Sequence, residues 1–430
     1  MIDRFPDELR LYICEFLPTR DLLALSCASR DWRRLATDSL LWRRRYACEL
    51  APLMGDGCVT SGGSDGRDED SDSRESEWFV RYGLTMRVLS RLARPDAAAS
   101  MERVALADDV HARCLAHHAA MDVLLAGCKR GVLLTTPLSN RSSTRGDRGR
   151  RSPVELVPTA VQVADRDAVN SMCLLPGAPS LVALGLGRQL GGSLVFDLET
   201  ASPVATLTGH ADSVFALAAC AQRPWVVSGG GQDDNSALVF DVNSPDAALR
   251  TLPHRGSVRA LAFDPAAPSV LYSGSLDKYV RCWDLRAPAR EPALELALAA
   301  GVHALELPIL SSSGDGQTLV VSVGRPHNAV YAIDTRAPHA GPTVNARYHS
   351  SAVSSLAGNA FSLASVSYDG TVAAVPMASW LAGEVTTPTA TYGIPKTAKG
   401  RVARGEDVLA LTARNVALAT ASSAGLHVWV

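Results

Sequence analysis

Residues 254–286 read HRGSVRALAFDPAAPSVLYSGSLDKYVRCWDLR. Three short runs rich in valine, leucine, alanine and aromatics, VRALAF, VLYSGS and YVRCWDL, are separated by turns built on Asp-Pro and Asp-Lys. Runs of this length, bounded by turn residues, read as strands. Working outward, the same trio recurs along the chain. Before it stand CLAHH, VLLAG and VLLTTP, then VNSMCLL, LVALGL and SLVFDL, then VFALAAC, WVVSGG and ALVFDV. After it come VHALEL, LVVSVG and AVYAIDT, then VSSLAG, SLASVS and TVAAVPM, and last VLALTA, VALATAS and LHVWV. Such even repetition predicts an all-β repeat fold over residues 97–430.

Each trio supplies the inner three strands of a four-stranded blade, with a variable outer strand before the next trio, which predicts a β-propeller of about seven blades. The last trio runs to Val430 and lacks an outer strand. The segment MERVAL at 101–106 stands in the right place to supply it, closing the ring and removing free edges. The run GLGRQLGG at 185–192 lies between strands rather than opening a helix, so it reads as a loop and not as a phosphate cradle.

The N-terminal texture differs. In residues 1–50, Leu9, Tyr12, Ile13, Phe16 and Leu17 recur at helical spacing. Pro18 stops that helix, and Thr19 or Asp21 caps the next. A third helix begins near Asp31 with Trp32 and Leu35. Helices this short leave apolar surface for one another or for a partner. Residues 51–76 are rich in Gly, Ser, Asp and Glu and read as an acidic disordered linker. Residues 77–96, with Trp78, Phe79, Tyr82 and Leu89, read as a helical connector. The arginine-rich stretch 139–152 reads as a basic loop interrupting the first blade.

Composition narrows the function. A formal charge of -2 argues against a mainly electrostatic binder of nucleic acid or membrane. Nine cysteines include no C-x-x-C pair, which points away from structural zinc and towards reduced thiols in the cytoplasm or nucleus. Charges at Asp3, Arg4, Asp7, Glu8 and Arg10 argue against a signal peptide, and no apolar run reaches membrane-spanning length. H-E-x-x-H, P-loop and EF-hand patterns are missing. Ser273, beside His254 and Asp277, has no G-x-S-x-G elbow, so the three read as architecture rather than a hydrolase triad. No catalytic residue, cofactor or metal is expected.

His254, Ser273, Asp277 and Trp283 are spaced as in a WD repeat, and the resemblance implies a buried relay. His enters from the loop before the blade, Ser lies on the second strand, Asp in the turn after it and Trp on the third strand. A buried Asp must be paired, and a His–Asp contact would pair it. Partial matches are His210, Ser228 and Asp234, with Phe240 in place of Trp, and His349, Ser365 and Asp369 without an aromatic. Residues Phe5-Pro6, Glu8-Leu9, Ile13, Phe16-Leu17-Pro18, Asp21-Leu22, Trp32 and Leu40-Leu41-Trp42 resemble an F-box. Along most of its length the chain resembles the F-box/WD-repeat family of ubiquitin-ligase substrate receptors. The ending LHVWV and the phrase LDKYVRCWDLR look most like its dactylin branch.

That resemblance implies a non-catalytic receptor whose F-box docks on Skp1 and, through it, on a cullin-1 complex. The residues implied at the Skp1 contact are Phe5, Pro6, Leu9, Ile13, Leu17, Pro18 and Leu22; Ile13 could equally belong to the F-box core. The propeller would hold a protein substrate. Arg259 is the one candidate substrate contact read at the start of a first strand, the matching positions after His210 and His349 being Phe215 and Ser354; alternatively Arg259 is a solvated surface residue. Asp284-Leu285-Arg286 and Asp334-Thr335-Arg336 instead resemble receptors of cullin-4/DDB1 ligases, and a non-ligase scaffold is a third reading.

Overall fold

The computed structural model describes residues 101–104, 111–137, 159–287, 291–308, 318–383, 387–394, 404–410 and 418–429, short gaps of one to three residues excepted, together with Cys14, Arg30–Ala36 and Leu41. The linker 51–76, the connector 77–96, the basic loop 139–152 and every residue implied at the Skp1 contact lie outside the described residues. Near the N-terminus, Arg30–Ala36 is helical, and Trp32, Leu35 and Ala36 are buried.

Six four-stranded antiparallel sheets are built from consecutive strands, over residues 112–162, 169–208, 214–253, 258–297, 302–346 and 353–393. They are numbered here as blades one to six, against the about seven counted from the sequence. The strands of the last trio form a composite sheet instead. Gly405–Ala410, Leu418–Ser422 and Gly425–Trp429 are joined on the outside by Met101–Val104, which pairs Met101 with Trp429 and Val104 with Leu426. The N-terminal strand therefore closes the propeller, as MERVAL implied.

Burial within a blade follows strand position. The second strands are buried almost throughout, as in Trp225–Gly230 and Thr318–Val323, which is why they read as unbroken Val, Leu and Gly runs. Inner strands such as Val214–Ala219 alternate between buried and half-buried, and outer strands such as Ser202–Thr208 are largely exposed. The cores sit between blades rather than within them. Val227, Val239 and Ala216 of blade three pack on Val258, Leu261 and Trp283 of blade four. Tyr272 and Val280 of blade four pack in turn on Val302, Leu305 and Tyr331 of blade five.

This face-to-face packing explains the glycines at the penultimate position of the second strands. A Cβ on Gly229 would stand 2.8 Å from Val258 Cγ1, and one on Gly127 would stand 2.6 Å from Val169 Cγ1. Gly185 and Gly274 face Val214 and Val302 in the same way. In blade five Ser322 takes that penultimate position and donates from Oγ to the Val353 carbonyl at 3.1 Å. No helix among the described residues is long and apolar enough to cross a membrane.

Candidate binding face of the propeller

Every inner strand carries the same irregularity. Pairing with the second strand slips by one residue immediately after the first paired position, between Ala112 and Cys114, Val169 and Ser171, Val214 and Ala216, Val258 and Ala260, Val302 and Ala304, Val353 and Ser355, and Gly405 and Asp407. A bulge re-aims the skipped side chain. Those skipped residues are Arg113, Asn170, Phe215, Arg259, His303, Ser354 and Glu406, and all seven line one central cavity of about 200 Å³. One residue per sheet thus composes the channel wall.

Arg259 is half-buried in that wall rather than a solvated surface residue. Its guanidinium lies over the Phe215 ring, 3.8 Å from the centroid, and its Nε is buried without a hydrogen-bond partner. The reading of Arg259 as the one first-strand arginine is corrected by Arg113, which occupies the matching position in blade one and donates from Nη1 to Asn170 Oδ1. The cue in the sequence was the alignment of His111-Ala112-Arg113 with Ser257-Val258-Arg259; the faint first blade hid it. His303 lines the same cavity, and burial, reinforced by the Arg259 charge, pushes its imidazole down to about 4. At pH 7 it is neutral.

The wall beside Arg113 is acidic. Burial lifts Asp407 to about 6, although its carboxylate accepts from Ser355 Oγ at 2.5 Å and from the Leu115 amide at 2.7 Å. Those two bonds tie the closing sheet to blade six on one side and blade one on the other. Neighbouring Glu406 is also raised by burial, against the charges of Arg113, Lys129 and Arg404.

The relay residues form hydrogen-bonded chains at the blade edges. In blade four Trp283 Nε1 donates to Ser273 Oγ at 2.8 Å, and Ser273 Oγ lies 2.8 Å from His254 Nε2. His254 Nδ1 lies 3.0 Å from the Leu252 carbonyl, which accepts and so fixes the tautomer in which Nε2 takes the serine proton. The expected His254–Asp277 contact is not made. Asp277 Oδ2 accepts from Arg281 Nη1 at 2.7 Å and from the Arg255 amide at 2.9 Å. Arg281, buried opposite Ser273 on the third strand, captures the carboxylate and extends to Glu295 at 2.7 Å.

The residues paired with the relay serine elsewhere are Leu238 and Ala373, which carry no charge, and there the histidine reaches the aspartate. In blade three His210 bonds Ser228 at 2.7 Å through Nε2 and Asp234 through Nδ1. Burial works to raise Asp234, but the bonds from His210 and Ser236 outweigh it and hold the carboxyl below its ordinary value. In blade six His349 bonds Ser365 at 2.9 Å, and Thr371 Oγ1 bridges His349 Nδ1 at 2.9 Å to Asp369 at 2.6 Å. Sequence reasoning missed Arg281 and Thr371, which decide the partner of each aspartate.

These serines are fully or nearly fully buried and spent on histidine bonds, which is the geometry of a scaffold. No group of three or more His, Cys, Asp or Glu among the described residues could hold a metal ion. The two Asp-x-Arg turns are superimposable: Arg286 and Arg336 each donate from the backbone amide and Nε to one carboxylate oxygen and from Nη2 to the other, at 2.9, 3.0 and 2.9 Å.

Comparison with known proteins agrees with this architecture. Residues 2–48 match the model of an F-box-like domain, and residues 201–241 and 247–284 match that of the WD domain, G-beta repeat. No curated protein matches the chain. Among solved structures, the crystal structure of the WD40 beta propeller domain of Doa1 is similar at a TM-score of 0.58 and 16% identity, over 76% of this chain and 96% of that one. At that identity the likeness speaks for the fold alone. An F-box-like domain and WD repeats in one chain support an F-box/WD-repeat protein.

Proposed function

We propose that this chain is the substrate receptor of a Skp1–cullin-1–F-box ubiquitin ligase, of the dactylin branch, working in the cytoplasm or nucleus. Residues 2–48 dock on Skp1, with Phe5, Pro6, Leu9, Ile13, Leu17, Pro18 and Leu22 at the contact, and the propeller holds the protein to be modified. The observation that carries the reading is the joining of an F-box-like segment to a WD propeller in one chain. In such an assembly the ubiquitin-conjugating enzyme does the chemistry, and the receptor contributes local concentration and orientation of a target lysine. Relay serines and histidines consumed by structural bonds fit a non-catalytic role.

Co-purification with Skp1 tests it. The full chain is expected to retain Skp1, and versions lacking residues 1–50, or carrying Pro6→Ala with Leu17→Ala, to lose it. A full, folded chain that fails to capture Skp1 refutes the assignment. The matched turns at Arg286 and Arg336, which leave both side chains about two-thirds exposed, favour DDB1 as the second reading. Loss of DDB1 binding on Arg286→Ala with Arg336→Ala would support it.

A further inference from the structure

The cations of this chain are almost all arginine. Of its 42 lysines and arginines, 38 are arginine and 4 are lysine, at Lys129, Lys278, Lys396 and Lys399. No lysine precedes Lys129, so the F-box-like segment and everything up to the first blade lack one. Lysine is ordinarily among the commonest residues of a globular protein. The two side chains serve equally as solvated charges but differ towards an acyl donor. A guanidinium keeps its proton and offers no free lone pair, whereas a lysine amine can shed its proton and attack. Ubiquitin transfer needs that amine. The lone pair of lysine Nζ attacks the carbonyl of the thioester that joins ubiquitin to the conjugating enzyme's cysteine. The carbon–sulfur bond breaks, the thiolate leaves, and an isopeptide bond forms as the nitrogen gives up its proton to solvent.

Placement narrows the acceptors further. Lys129 opens the turn between the second and third strands of blade one, and Lys278 lies in the same turn of blade four, immediately before Tyr279–Asp284. Both are exposed, and both stand on the face where the inner strands begin. Around a depression beside the channel, Lys278 is joined by Arg325 and Arg404, and of the three it alone carries an amine. Among the described residues the opposite face uses arginine instead, with exposed Arg223 before the second strand of blade three and exposed Arg286 and Arg336 after the third strands of blades four and five. Lys396 and Lys399 fall outside the described residues.

Lys278 is also held against its backbone preference. Its φ is 75°, and blades three and six fill the position before the third strand with Asn235 at 51° and Gly370 at 81°. Asparagine and glycine suit the left-handed region, and a lysine is strained there. The turn gains nothing from lysine that asparagine would not supply, so the side chain is what the position retains.

We propose that exclusion of lysine spares this receptor from the ubiquitin transfer it promotes, and that Lys129 and Lys278, on one face, are the acceptors left on the described propeller. The inference rests on the Skp1-linked ligase reading and names which amines of the receptor that ligase can modify.

The test is a reconstituted reaction of the full chain with Skp1, cullin-1, its RING subunit, activating and conjugating enzymes, ATP and ubiquitin. Self-conjugation is followed in time, and acceptors are mapped by mass spectrometry of the tryptic remnant. Remnants are expected at Lys129 and Lys278. The charge-preserving change Lys129→Arg with Lys278→Arg is expected to remove them. Two further variants return lysine to arginine positions: Arg67→Lys with Arg74→Lys between the F-box-like segment and the propeller, and Arg223→Lys with Arg336→Lys on the opposite face. At least one is expected to raise self-conjugation about tenfold, as a tethered amine at high local concentration does. Lys278→Asn is expected to melt no lower than the parent chain, and a lower melting temperature would show that the turn itself needs lysine and count against the proposal. Remnants absent from both Lys129 and Lys278, or no gain in either lysine-restored variant, overturn it. Skp1 capture is scored on the same preparations. Its loss strikes the receptor reading and this inference with it, whereas restored lysines that gain nothing while Skp1 is held strike this inference alone.

Discussion

At the scale of the residue, the histidine of blade four is the most informative group. His254 is buried, and burial, with the Arg281 charge acting in the same direction, pushes it from an ordinary 6.5 down to about 4. Its folded-state pKa therefore lies below its unfolded one. Its contribution to stability is complete above pH 6.5 and is lost as pH falls towards 4, because the unfolded chain binds a proton that the folded chain refuses. The slope is at most about 1.4 kcal/mol per pH unit for one such histidine. Urea denaturation across pH 4–7 is expected to show stability falling with acid. In His254→Gln, which cannot titrate, that slope should shrink, with His303 sustaining part of the remainder. An unchanged slope would mean that the pKa of His254 is the same folded and unfolded. The identities of these residues were legible in the sequence, but their partners were not. Asp277 was assigned to His254, yet Arg281, four positions on, lies on the same side of the third strand and takes the carboxylate. A buried guanidinium left unpaired would cost several kcal/mol, so its demand prevails over that of a neutral imidazole.

At the scale of the element, alternation and turn chemistry were sufficient to place strands. Each inner trio read from the sequence corresponds to three paired strands, because second strands buried on both faces must be apolar and turns must carry Asp, Gly or Pro. The outer strands were illegible for the opposite reason: they are short and exposed, as in Leu294–Ala297, and almost any residue serves there. The bulge in each inner strand was also invisible, since it is a property of pairing rather than of one strand. It nevertheless decides which side chain enters the channel. The glycine seam gives a prediction at this scale. In Gly229→Ala the new methyl group would press on the Val258 side chain and on its backbone carbonyl at 3.1 Å. Blade four would have to retreat, at a cost of about 1–3 kcal/mol. A melting temperature lower by several degrees is expected, whereas an unchanged value would show that the seam yields freely.

At the scale of the whole molecule, closure is the governing feature. Met101–Val104 covers the edge that Gly425–Trp429 would otherwise present, and Asp407 bonds the closing sheet to both neighbours. Deleting residues 97–107 exposes that edge to other chains. The product is expected to be insoluble, and a soluble variant with an unchanged melting temperature would refute the role given to the strand. By itself the sequence determined the all-β repeat, because hydrophobic period and turn residues are local properties. It also pointed to the closing strand, since the last trio lacked a fourth member. Only the tertiary structure decided what faces the channel and what meets on its rim. Arg113 and Arg259 lie in blades one and four, and Lys278, Arg325 and Arg404 come from three different sheets. Their convergence follows from the circular arrangement of the blades, which sets side by side residues that are more than a hundred positions apart in the chain.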